Sequence, residues 1–138
     1  MDRQGFSEGE RDGRAALRPA PMHGAMSEER LRRVLLHVAM NLQGALSLQE
    51  LASVAGTSRA HFARQFRRST GSSPHQYVLH CRLTLAREML LHTRLSLGEV
   101  ALRVGFVDQS HLNRRFRATL GVTPGLFAQH ARSPSRDG

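Results

Sequence analysis

The sequence contains one cysteine, no lysine and no tryptophan, and each shortage removes a class of explanation. A lone Cys81 excludes a disulfide framework within the chain and fits a reducing compartment. It reads as a small core residue rather than a redox switch. No apolar run approaches the ~20 residues that a bilayer requires, and the N-terminus lacks the hydrophobic core of a signal peptide. The expectation is a soluble, cytoplasmic protein with no membrane partner. The eight histidines are scattered, with no Cys cluster and no His-x-x-x-His or Glu-paired motif on one helix face. No metal site is therefore expected. No glycine-rich phosphate loop follows a strand, and Cys81 has no positioned base, so neither an enzyme nor a cofactor is expected.

Charge of one sign dominates what is present. All 20 basic residues are arginine, against 11 acidic ones, for a formal net charge of +9. Residues 1–26 hold four Arg and four acidic residues, whereas residues 27–131 hold 14 Arg and six acidic residues. A basic folded region beside a neutral tail points to a polyanionic partner.

The chain also says one thing twice. Residues 47–77 read SLQELASVAGTSRAHFARQFRRSTGSSPHQY, and residues 96–127 read SLGEVALRVGFVDQSHLNRRFRATLGVTPGLF. With one extra residue allowed after Gly105, identities include Ser47/Ser96, Glu50/Glu99, Gly56/Gly105, His61/His111, Arg64/Arg114 and Phe66/Phe116. Each copy runs short helix, glycine turn, longer Arg-rich helix, then Gly-x-Ser/Thr-Pro. That is a duplicated helix-turn-helix, which predicts two DNA-reading helices on one polypeptide.

The fold expected is all-α, about seven helices, with two helix-turn-helix subdomains joined by a long connector helix. Residues 1–26 and 132–138 lack apolar periodicity and read as disordered tails flanking a bipartite domain at 27–131. Leu31, Val34, Leu35, Val38 and Leu42 mark a first amphipathic helix, N-capped by Ser27 and ended by Gly44. The first helix-turn-helix spans about 47–70 and the second about 96–120. Ser47-x-x-Glu50 and Ser96-x-x-Glu99 each read as a capping box. Ser58 and Asp108 cap the second helix of each pair, which ends at Gly71 or Gly121. Ser73-Pro74 and Thr123-Pro124 start further helices. The connector, 74–92, spans roughly 28 Å, close to the ~34 Å of one DNA turn. It carries two apolar stripes, Leu79, Leu83, Ala86, Leu90 and Val78, Cys81, Leu85, Met89, and so is expected to pack against more than one neighbour. Arg82 and Arg87 within it read as internal ion-pair partners of Glu88 or Glu99.

Phe62 and Phe66 mark the buried face of the first recognition helix, as Leu112 and Phe116 do in the second. Residues near each helix N-terminus enter a groove first. The base-reading candidates are therefore Arg64, Gln109, Ser110, His111 and Arg114, since Arg can bridge guanine O6 and N7 and Gln adenine N6 and N7. Arg59, Ala60, Ala63, Arg67, Arg68, Asn113, Arg115 and Arg117 are assigned to the DNA backbone or groove edge. Ala60 and Ala63 can offer only apolar contact with thymine methyls. Arg67, Arg68, Arg115 and Arg117 suit phosphate, which sets register and affinity rather than sequence.

The second copy also carries Gly105-Phe106-x-Asp108-Gln109-Ser110-His111-Leu112-x-Arg114-x-Phe116-Arg117, followed by Gly121-x-Thr123-Pro124-x-x-Phe127. With Arg82-Leu83-x-x-Ala86-Arg87 between the copies, this resembles the DNA-binding domain of the AraC/XylS family of bacterial transcription regulators. The resemblance covers residues 27–131. It implies a bipartite all-α domain that binds an asymmetric double-stranded DNA site as a monomer, with RNA polymerase as an additional partner. Most family members carry a large effector or dimerisation domain, which 26 polar residues do not provide, so the chain is similar to the short single-domain members. The expected function is a sequence-specific transcription regulator, an activator, acting at the nucleoid. The alternatives are a DNA-binding fragment of a longer effector-responsive regulator and a non-specific architectural DNA-binding protein.

Overall fold

The computed structural model describes residues 24–132. Among these residues the chain forms seven helices and no strand: α1 (Glu28–Met40), α2 (Leu48–Ala55), α3 (Arg59–Thr70), α4 (Pro74–His92), α5 (Leu97–Val104), α6 (Gln109–Leu120) and α7 (Pro124–Arg132). They fall into two compact units. Among the described residues, one comprises 24–40 with Leu46–Tyr77, the other Asn41–Ala45 with 78–132.

In the first unit, the Ser27 hydroxyl accepts from the Arg30 amide at 3.2 Å and so starts α1. Val34 and Val38 are buried while Leu31 and Leu35 are half-buried, as the three-and-four spacing demands. The helix stops at Met40, before the expected terminator Gly44. Helix α2 packs on both α1 and α3. Its buried Leu51, Ala52 and Ala55 join Phe62 and Phe66 of α3 among the core residues. The Phe66 ring meets the Tyr77 ring edge-on at 5.5 Å, which anchors the first turn of α4.

Two expectations change here. Glu50 does not close a capping box: the Ser47 hydroxyl accepts from the Glu50 amide, but the Glu50 carboxylate reaches His37 Nε2 of α1 at 2.6 Å. A partner on another helix has taken the carboxylate that the local motif needed. The folded region also begins earlier than residue 27. Met26 is buried, its amide donates to the Ser69 hydroxyl at 2.9 Å, and a Cβ at Gly24 would collide with Arg68 Nη1. Helix α7 likewise runs through Arg132, one residue into the expected C-terminal tail, and the rest of both tails lies outside the described residues.

The second unit is built on α4 to α7. Leu83, Ala86 and Leu90 of α4 join Val100, Ala101, Val104, Phe106, Leu112, Phe116 and Ala128 in one buried cluster. Leu85 and Met89, assigned by sequence to the other stripe, pack against that same cluster. Among the described residues neither Arg82 nor Arg87 forms the expected ion pair. Arg82 Nε donates to the Leu42 carbonyl at 3.1 Å and its Nη2 to the Gly44 carbonyl at 2.8 Å, which ties Asn41–Ala45 to α4. Burial pushes the guanidinium pKa down, and the two carbonyls replace the water it has lost. Glu88 pairs with His92 instead, at 3.3 Å, a Glu–His pair on one helix face where the sequence reading expected none. Here the capping box is complete, with the Ser96 hydroxyl accepting from the Glu99 amide and Glu99 accepting from the Ser96 amide.

Candidate nucleic-acid interface

Helices α3 and α6 are each 12 residues long and are shaped by the same local chemistry. The Ser58 hydroxyl accepts the His61 amide at 3.2 Å, and Asp108 Oδ1 accepts the His111 amide at 2.9 Å. Left-handed glycines end both helices: Gly71 at φ 84° and Gly121 at φ 84°. Phe62 and Phe66 on one helix, and Leu112 and Phe116 on the other, are buried. Arg64 on one helix, and Arg114 and Arg115 on the other, are thereby fixed on the outer face.

On α3, Arg59, Ala60, His61, Arg64, Arg67 and Arg68 are exposed and Ala63 is half-buried. On α6, Gln109, Ser110, Arg114, Arg115 and Arg117 are exposed, while His111 and Asn113 are half-buried. Neither helix contains an acidic residue. Among the described residues no ion pair occupies Arg59, Arg64, Arg67, Arg114, Arg115 or Arg117. Each helix therefore presents an uncompensated cationic face whose first turn is short or polar. Such a face suits a polyanion, with arginine free to form charge-assisted bonds to phosphate or to a guanine edge.

Three expected positions are less free than the sequence suggests. The His111 ring lies edge-on to Phe106 at 5.0 Å. Burial, then the charges of Arg114 and Arg115, hold its pKa below the ordinary 6.5 against the opposing pull of Asp108. Asn113 Oδ1 is buried with no hydrogen-bond partner, as is Gln65 Oε1 of α3, so the Asn113 oxygen points away from the open face. Arg68 lies against Gly24. Among the described residues, no group of three His, Cys, Asp or Glu is placed to hold a metal ion, and no helix is long and apolar enough to cross a membrane.

The turns separate the two copies. Thr57 and Phe106 make equivalent bonds, donating to Ala52 O at 3.0 Å and to Ala101 O at 2.9 Å. Hydrogen bonding thus matches Phe106 to Thr57, and the additional residue of the second copy is Val107. Phe106 is buried and Val107 is 78% exposed, immediately before the cap of α6. Sequence reasoning passed over Val107; its signal was an apolar residue where a polar turn residue is usual.

Comparison with known proteins gives a consistent picture. A family model described as a helix-turn-helix domain matches residues 51–130. The probable transcriptional regulator LumQ of Photobacterium leiognathi is 38% identical over 101 residues, 72% of this chain and 41% of LumQ. This chain thus spans about two fifths of that relative's length. The crystal structure of a transcriptional regulator from Chromobacterium violaceum, described as having an AraC-type DNA-binding domain, matches with a TM-score of 0.71 at 27% identity, over 78% of this chain and 96% of that one. The DNA-binding domain of AdpA, solved in complex with a target DNA, matches with a TM-score of 0.72 at 33% identity, over 77% and 97% of the two chains.

Proposed function

The chain belongs to the AraC-type helix-turn-helix family, and on that premise we propose that it is a sequence-specific transcription regulator of double-stranded DNA. The observation that carries this is the pair of helices of equal length, each N-capped by a side-chain oxygen and ended by a left-handed glycine, and each with exposed and uncompensated arginines. In this reading α3 and α6 enter successive major grooves. Arg64, Gln109, Ser110 and Arg114 read base edges, and His111 contributes only the ring edge that Phe106 leaves open. Arg59, Ala60, Ala63, Arg67, Arg68, Asn113, Arg115 and Arg117 grip the backbone or line the groove edge. The protein acts in the cytoplasm as a monomer on an asymmetric site, activating transcription with a contact to RNA polymerase. A second reading, the DNA-binding part of a longer regulator, is favoured by the chain's spanning 41% of LumQ.

Selection of bound sequences from random duplex DNA at near-physiological salt tests the reading. Two short motifs about 10 base pairs apart are expected, one per helix. Binding with no enriched sequence leaves only an architectural role and sinks the regulator proposal. Arg114→Ala is expected to cost about 1–3 kcal/mol and to relax one base position. Arg117→Ala should instead weaken all sequences alike and flatten the salt dependence by about one unit. Equal loss on every DNA for both variants contradicts the groove assignment.

A further inference from the structure

Val107 is the most exposed of the large apolar side chains among the described residues, at 78%. Others that are well exposed, Leu36, Met40, Leu102 and Leu126, sit within helices α1, α5 and α7. Val107 alone stands directly before a reading helix. It is also the residue by which the second turn exceeds the first, because Phe106 already makes the backbone bond that Thr57 makes.

Among the described residues, no core packing accounts for it. An apolar residue just before an N-cap ordinarily packs on the fourth residue of the helix as a hydrophobic staple. That residue here is Leu112, which is completely buried while Val107 stays in water. Phe106 fills the adjoining core in its place. A rigid, β-branched side chain is therefore held out beside the exposed Gln109 and Ser110.

If α6 reads the major groove, the apolar feature available there is the C5-methyl group of thymine. We infer that Val107 is a specificity-determining residue that packs against one thymine methyl at the edge of the α6 half-site. This rests on the DNA-reading proposal above.

The test uses the site selected by the whole chain, with each thymine replaced in turn by deoxyuridine, which removes only the methyl. One replacement in the α6 half should weaken the wild-type protein roughly fourfold, the worth of one buried methyl group. Val107→Ser should bind the unmodified site more weakly by a similar factor and be indifferent to that replacement. Its thermal unfolding should match the wild type, since the side chain supports no core. A selected site with no thymine in the α6 half, or the same response to every replacement in both proteins, overturns the inference and leaves the regulator proposal standing. Failure of the wild type to select any sequence overturns both.

Discussion

The two helix-turn-helix copies share helix lengths, the serine that caps their first helix and turn glycines, yet each is fastened by different means. In the first, Glu50 leaves its local cap to meet His37 of α1, and the turn at Gly56 has open space where a Cβ would sit. In the second, Glu99 stays in its capping box, while the turn is closed by buried Phe106 and by Arg82 holding the carbonyls of Leu42 and Gly44. A repeated motif thus specifies the local turn, and the tertiary partners of each copy decide which of its residues are irreplaceable. Equal sequence positions are not equal energetically.

The turn glycines give the largest expected separation. Both have positive φ, 73° at Gly56 and 102° at Gly105, so an alanine at either costs about 1–2 kcal/mol from backbone conformation alone. At Gly56 nothing lies within 4 Å of an added Cβ. At Gly105 the same atom collides with the Leu42 carbonyl and lies 2.6 Å from Arg82 Nε. Overpacking of that kind adds about 1–3 kcal/mol, giving roughly 2–5 kcal/mol for Gly105→Ala against 1–2 for Gly56→Ala. Urea unfolding of the two variants checks this; equal losses would mean that the Arg82 clamp does not confine the second turn.

The diverted carboxylate gives a smaller effect. A double-mutant cycle with His37→Ala and Glu50→Ala is expected to show a coupling of about 0.2–1 kcal/mol, modest because both side chains are partly exposed. Glu99, whose contacts run to Ser96 on its own helix start, offers the comparison. Single variants whose effects simply add would show that the 2.6 Å contact contributes nothing and that the first copy resembles the second after all.

These differences also mark how far the sequence could be read. Seven helices, their caps and the buried pairs Phe62/Phe66 and Leu112/Phe116 were legible because periodicity and capping act over three or four residues. The exposed arginines of α3 and α6 were legible for the same reason. What escaped depended on distant partners. Glu50 looked identical to Glu99 until α1 supplied His37, and Arg82 looked like an ion-pair former until two carbonyls 38 and 40 residues away claimed it. Alignment by letters placed one extra residue after Gly105; hydrogen bonding assigns it to Val107. His111 was the one base-reading candidate whose ring the core partly withdrew, through the same Phe106.

That last contact yields the smallest and most specific distinction between the copies. His61, its counterpart, is exposed on α3, while the His111 ring rests on Phe106 and faces the positive charges of Arg114, Arg115 and Arg82, with only Asp108 opposing them. Its folded pKa is depressed below 6.5. Between the folded and unfolded values the unfolded chain binds more protons, so the stability that His111 contributes is fully present above about pH 6.5 and is lost as pH falls through the folded pKa. Thermal midpoints from about pH 8 down to about pH 5 should therefore decline less steeply in His111→Gln than in wild type, with His61→Gln as the comparison from the other repeat. Identical profiles for His111→Gln and wild type would mean that the ring is as open to water and DNA as its counterpart, restoring the symmetry between the two reading helices.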